Sequence, residues 1–326
     1  MPGRKTTRPP SQGAQRAAHQ LGILELERFS HESLTRWTAL SEDLNELQAA
    51  LYFGVLPEQR RLRQSLIEAV QLTAPMTLSL SRWSRIVTFQ YSTEPLSAAG
   101  SLQGLGGRFN PGLDLDSGTV DPFPALYVAE DQETAFREKF QMAATDRVDG
   151  LTAQELALSH SVSHSTLFLN GTLRAVFDMT STTSLNAVAK VLGRIRMPEE
   201  ARRLKKKLRL AQRALWMIVT GRQLYQAVLE QNWRTLPLQF GLPAPGHTLG
   251  ELIRAAGFEA ILYLSTKGKA RCLAVFPDRL NSGSLVELAD EAPSSVEHVK
   301  LDINSGDELS GWDSLPVRRR PRKPTT

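Results

Sequence analysis

Gly106-Gly-Arg-Phe-Asn-Pro-Gly112, then Ala125-Leu-Tyr-Val-Ala129, then Glu130-Asp-Gln-Glu-Thr-Ala-Phe-Arg-Glu138 is the stretch that decides how the chain is read. Paired glycines let backbone come close to a ligand, and an arginine beside them can meet a phosphate through two parallel hydrogen bonds. The apolar run around Tyr127 has the length and composition of a short buried strand. From Glu130 to about residue 144 the pattern is helical, with Ala135, Phe136 and Phe140 on one face and Glu138 on the second or third turn. Singly, these elements are an ordinary turn, a core tyrosine and a solvated helix face; their order and spacing favour a ligand site.

Upstream, residues 76–80 and 83–89 alternate like strands, and a Gly- and Ser-rich loop runs from 95 to 112. Before that, Leu21, Leu24, Leu26, Leu34, Trp37, Leu40, Leu44, Leu47 and Leu51 recur at spacings close to three and four. Pro57 is suited to open a further helix through Val70, and Pro75 marks a break. Downstream, 166–177 returns to strand character and 184–231 to helical periodicity, interrupted near Pro198. A short helix at 249–256 stops at Gly257, and strands follow at 260–264 and 271–276. The expected organisation is a disordered basic lead (1–18), a helical N-terminal region (19–75), a mixed domain that carries the candidate ligand site (76–282) and an acidic, Ser-rich and finally basic tail (283–326). The fold class is α+β, a mixed sheet with an N-terminal helical extension.

The 326 residues are 41% hydrophobic and 22% charged with a formal net charge of +5, enough apolar content for a sizeable core. Much of the positive charge is concentrated at 202–209 and at 318–323. Leu204, Leu208 and Leu210 interleave with the first run, which predicts a helix outside the candidate ligand site. Neither run carries the interleaved aromatics of a single-strand binder, so nucleic acid is a disfavoured partner. The single cysteine, Cys272, sits in an apolar run and reads as a buried thiol. No segment approaches the roughly 18 uninterrupted apolar residues of a membrane span. The polar, Pro-rich start lacks a secretory core, so a cytoplasmic location is the default expectation.

Taken in order, GGRFNPG, ALYVAEDQETAFRE and GFEAILYLSTKGKARCLAVFP resemble the RES domain, the toxin family of bacterial toxin–antitoxin pairs. The similarity covers about residues 80–282. It starts at the strand arginine of Trp83-Ser-Arg85 and ends at the strand-terminal serine of Leu262-Tyr-Leu-Ser265. It includes Asn232-Trp-Arg234 to Leu249-Gly250, which is similar to the family's stretch before its last strand. Departures are Ile86, where the family often has tyrosine, and the long basic segment at about 180–230.

The resemblance implies an ADP-ribosyltransferase-like fold, NAD⁺ as the substrate consumed, and a cognate antitoxin or immunity protein as partner. Breaking the nicotinamide–ribose bond creates an oxocarbenium-like centre. Glu138 is the candidate carboxylate to stabilise it, Tyr127 the aromatic face for the cationic ring, and Ser265 the hydroxyl that orients Glu138 or binds ribose. Arg85 and Arg108 are candidates for the diphosphate, with Gly107 and Asn110 in the same loop. Nicotinamide leaves as a neutral molecule, so this chemistry calls for no metal.

Two rivals remain. ADP-ribose transfer to a macromolecule would use the same residues, but Phe136 occupies the position two before Glu138 where transferases commonly carry a second carboxylate. A nucleic-acid-binding or adaptor role would use the basic segments. His160 and His164 have i, i+4 spacing, but no third zinc ligand is evident. Tyr263-x-x-x-Lys267 lacks the Gly-rich turn that a short-chain dehydrogenase needs. No phosphate-binding GxxxxGK(S/T) is present.

Overall fold

The computed structural model describes residues 31–115, 118, 120–140, 163–210 and 215–311. The expected basic lead, His160, the C-terminal arginines and the expected helix beyond residue 140 lie outside these residues. The chain divides into two compact units, Met1–Gly54 with Met197–Leu215, and Val55–Arg196 with Trp216–Thr326.

In the first unit, helix α1 (His31–Gln71) begins and a later helix, Glu199–Lys207, packs Ala201 and Leu204 around Leu47. The basic run therefore lies on a helix as far as Lys207, as its leucine spacing predicts, and Arg209 follows the helix end with a φ of +51°. Much of its charge is locally engaged: Arg203 pairs with Glu200, Lys207 Nζ lies 2.7 Å from Asp43, and Lys205 Nζ donates to the Leu215 carbonyl at 2.7 Å.

Pro57 does not start a new helix. It sits inside α1, which continues to Gln71. A proline there removes one backbone donor, and the hydrogen-bonded turns on either side carry the helix past it. Beyond it, Leu62, Leu66, Ala69 and Val70 share one face and are buried in the core of the second unit.

The second unit is a mixed sheet with helices, an α+β arrangement. Its strands are β1 (Met76–Thr88), β2 (Leu126–Ala129), β3 (His164–Asp178), β4 (Ala260–Leu264), β5 (Arg271–Val275), β6 (Leu285–Leu288) and β7 (Lys300–Leu301). The pairings β1–β2, β2–β5, β5–β4, β4–β3 and β3–β1 close into a ring, parallel only between β3 and β4; β6 and β7 extend from β3. The closure makes this a barrel rather than an open sheet, and it depends on the length of β3. One edge of that strand runs along β1, while the other pairs with β6 at 169–172 and with β4 at 176–178. The two segments expected at 76–80 and 83–89 are one strand with an irregularity between Leu80 and Trp83. Residues after 282, expected as a tail, include β6 and β7.

Alternation along the strands sorts two cores. Leu126, Val128, Ala260, Leu262, Leu273 and Val275 pack on one face. Ile261, Tyr263, Cys272 and Ala274 pack on the other, against α1 and, among other elements, three further helices. These are α2 (Gln132–Phe140), α3 (Asn186–Leu192) and α7 (Pro245–Ala255), where α4 denotes Glu199–Lys207, α5 Gly221–Tyr225 and α6 Thr235–Phe240. Pro245 at the first turn starts α7 four residues earlier than its apolar pattern shows.

Candidate functional site

The loop 106–112 is a tight turn closed on itself. Gly107 N–H donates to the Asn110 carbonyl at 3.0 Å and to Asn110 Oδ1 at 3.2 Å. Gly106 takes a φ of +86°, a conformation that favours glycine. The loop lies directly on α7: a Cβ at Gly246 would run into the Arg108 carbonyl, and one at Gly250 into that of Phe109. Also on α7, buried His247 approaches the Gly107 carbonyl at 2.8 Å through Nε2 while its Nδ1 faces the Ala244 N–H at 3.1 Å. Because a backbone N–H can only donate, Nδ1 accepts and Nε2 carries the proton. Burial lowers the His247 pKa to about 4, so the ring is neutral.

Asn110 is fully buried and holds this loop together. Its Nδ2 donates to the Ser101 carbonyl at 2.9 Å and to that of Phe123 at 3.0 Å, and its Oδ1 accepts the Tyr127 hydroxyl at 2.8 Å. Tyr127 OH in turn accepts the Phe109 N–H at 2.9 Å. Burial pushes the phenol well above its usual range, so the hydroxyl is a fixed neutral link. The aromatic ring of Tyr127 is what remains to meet a ligand.

Glu138 reaches the same place from α2. Asp131 caps that helix, its carboxylate accepting the Thr134 N–H at 2.6 Å. Ala135 packs on the sheet, and Glu138, three residues on, shares its face. Ser265 begins the turn after β4, and its hydroxyl lies 2.6 Å from Glu138 Oε1 while accepting the N–H groups of Lys267 at 3.0 Å and Gly268 at 2.7 Å. The next residue of that turn, Thr266, accepts Arg108 Nη2 at 3.0 Å.

These residues surround a cavity of about 310 Å³, at the lower end of ligand-site sizes. Arg85, Gly107, Arg108, Tyr127 and Glu138 line it, Ser265 supports it through Glu138, and Asn110 lies beneath the loop. Six of the lining residues are charged: Arg85, Arg108, Lys139 and Arg234 against Glu94 and Glu138. No residue of the basic run 202–209 lines it.

Two of the arginines are largely occupied. Arg85 donates to the carbonyls of Pro95, Ser97 and Tyr127 at 2.9, 2.9 and 3.0 Å, and burial lowers its pKa to about 10. Arg108 is 6% exposed and donates to the carbonyls of Val228 and Leu229, at 3.0 and 3.3 Å, besides Thr266. Cys272 lines the cavity, but burial raises its thiol well above the usual range, which suits a packed side chain and not a nucleophile.

No family model matches this chain, and no curated protein matches it. Among solved structures it is similar to a chain of the M. tuberculosis MbcT–MbcA toxin–antitoxin complex, at 15% identity and a TM-score of 0.40, over 76% of this chain and 97% of that one. A likeness of that level leaves the chemistry to be argued from the residues of this chain.

Trp233, Arg234, Lys139 and Tyr263 line the cavity without having been assigned roles from sequence. Asn232-Trp-Arg234 and the lysine beside Glu138 were the visible signals. His164 starts β3 beside the rings of Phe136 and Phe140, so it does not share a helix face with a second histidine. Among the described residues, Glu94, Glu297 and His298 bring metal-type ligand atoms within 4.8 Å of one another. Both His298 nitrogens already face carboxylates, Glu94 at 3.1 Å and Glu308 at 3.4 Å, and the group reads as an ion-paired contact. No helix among the described residues is long and apolar enough to cross a membrane.

Proposed function

We propose that this chain cleaves the nicotinamide–ribose bond of NAD⁺ and acts as the toxin of a RES-type toxin–antitoxin pair. The observation that carries the reading is the hydrogen bond from Ser265 to Glu138 at the edge of a cavity lined by Tyr127 and four cationic side chains. Residues that the motif resemblance singled out at 85, 107, 108, 127, 138 and 265 come from five separate segments and meet at that one cavity. The toxin role and an antitoxin partner rest on the motif resemblance.

In the proposed reaction nicotinamide departs with the electron pair of the C–N bond and becomes neutral. Positive charge develops on the ribose, and the Glu138 carboxylate, held by Ser265, stabilises it. The Tyr127 ring offers a face to the cationic nicotinamide before cleavage. Water attacking the anomeric carbon yields ADP-ribose and a proton; inorganic phosphate in its place yields the ribose 1-phosphate. Transfer to a macromolecule is less well supported, because Phe136, where a second carboxylate is expected, packs at a tilt against Phe140 with ring centres 4.6 Å apart.

Purified protein incubated with NAD⁺, with and without inorganic phosphate, tests this by chromatography of the products. Free nicotinamide with ADP-ribose or its 1-phosphate is expected. Intact NAD⁺ under both conditions would remove the reading, and label retained on protein would favour transfer.

A further inference from the structure

We propose that Arg234 is the residue that takes the diphosphate of the substrate, in place of Arg85 and Arg108. This rests on the reading of the cavity as an NAD⁺ site. The cavity has four cations, and what each already holds separates them. Arg85 spends Nε, Nη1 and Nη2 on three backbone carbonyls, fastening the 95–97 segment to β2. Arg108 is buried with Nη1 and Nη2 committed, and its Nε is enclosed without a partner. Both guanidinium groups serve to build the walls.

Arg234 differs. Its side chain lines the cavity, is only partly buried, and has no carboxylate or carbonyl acceptor among the described residues. Its guanidinium carbon lies 5.1 Å from the ring centre of Trp233, which is itself 6% exposed and packed edge-on against His247. A planar cation resting on a fixed indole loses little freedom when it meets an anion and presents paired N–H donors. Burial and nearby Arg108 both lower the Arg234 pKa, while Glu138 raises it, so the guanidinium lies within the field of the candidate carboxylate. One substrate can then span both groups, its diphosphate at Arg234 and its anomeric carbon at Glu138. Lys139, the remaining cation, is a point charge on a flexible stem, its pKa lowered by burial of the ammonium and by neighbouring Arg85. It lacks the planar pair of donors that a diphosphate engages.

The test is the affinity of the full-length protein for ADP-ribose by calorimetry, with KM and kcat for NAD⁺ alongside, in wild type, Arg234→Gln, Arg234→Lys and Lys139→Gln. Loss of a charge-assisted pair of hydrogen bonds predicts about ten- to a hundredfold weaker ADP-ribose binding in Arg234→Gln. KM rises to a similar extent while kcat changes by less than about threefold, because the contact is made equally in ground and transition states. Arg234→Lys is expected to recover part of the affinity. Unchanged affinity in Arg234→Gln, no measurable ADP-ribose binding by wild type, or a larger loss in Lys139→Gln would overturn the assignment. Wild-type protein that binds ADP-ribose through Arg234 yet releases no nicotinamide would refute the cleavage reading alone.

Discussion

The Ser265 hydroxyl accepts two backbone N–H groups, from Lys267 and Gly268, and lies 2.6 Å from Glu138 Oε1. A hydroxyl has one proton and two lone pairs. With both lone pairs facing N–H donors, the proton is directed to the carboxylate. The turn after β4 therefore fixes the orientation of Glu138, although the two residues are 127 positions apart. Ser265→Ala is expected to lower kcat on the order of tenfold with little change in KM, less than loss of the carboxylate charge itself. Ser265→Thr, which keeps the hydroxyl, should retain most of the activity. Steady-state nicotinamide release checks both, and wild-type kcat in Ser265→Ala would show that Glu138 needs no such support.

Arg85 is expected to matter to stability before binding. Removing its side chain in Arg85→Ala leaves the carbonyls of Pro95, Ser97 and Tyr127 without these donors. Leaving buried acceptors unsatisfied costs about 1–3 kcal/mol. Thermal unfolding should shift downward accordingly. An unchanged melting temperature with weakened ADP-ribose binding would return Arg85 to the role of a ligand contact.

Close contact between α7 and the 106–112 loop makes a third expectation. A methyl group at Gly250 meets the Phe109 carbonyl, and one at Gly246 meets that of Arg108. Gly250→Ala must displace the loop, at a cost of about 1–3 kcal/mol for overpacking, and should depress activity beyond its effect on stability because Arg108 moves with the loop. Gly241, where nothing lies within 4 Å of an added Cβ, has a φ of +65°, so Gly241→Asn is the control that tolerates substitution.

His247 supplies a pH dependence. The fold holds it neutral, with its pKa lowered by burial from 6.5 to about 4. Between those values the unfolded chain binds a proton that the folded chain does not, so stability falls as pH drops from about 6.5 to about 4 and levels off below. The slope contributed is at most about 1.4 kcal/mol per pH unit. Melting temperatures of wild type and the non-titrating His247→Gln should converge as pH falls through this window. Parallel curves would show that His247 is not the group responsible.

Much of the candidate site was legible in sequence because its residues sit in short, contiguous motifs. Gly107, Arg108, Tyr127 and Glu138 fall within one stretch of 32 residues, and their order alone brought them to one cavity. What sequence could not convey was where each hydrogen-bonding group is spent. Arg85 and Arg234 both follow closely on a tryptophan in sequence, two residues and one residue after it, yet one is tied to three carbonyls and the other rests on the indole. Only the fold separates a wall from a ligand contact. The α+β class was legible from periodicity. The closure of the sheet was not, because it depends on β3 pairing with both β1 and β4, and local pattern carries no register. The helix past Pro57 shows the same limit: a proline permits a helix start without requiring one.

The proposed reaction turns on the Glu138 carboxylate, which stabilises positive charge on ribose as nicotinamide leaves. Its most direct test is the rate of nicotinamide release at saturating NAD⁺ by wild type and by Glu138→Gln, which keeps shape and removes charge. A fall in kcat of about 10²–10³ is expected, with ADP-ribose affinity nearly unchanged. Turnover of NAD⁺ by Glu138→Gln at the wild-type rate would show that the carboxylate charge plays no part in cleavage.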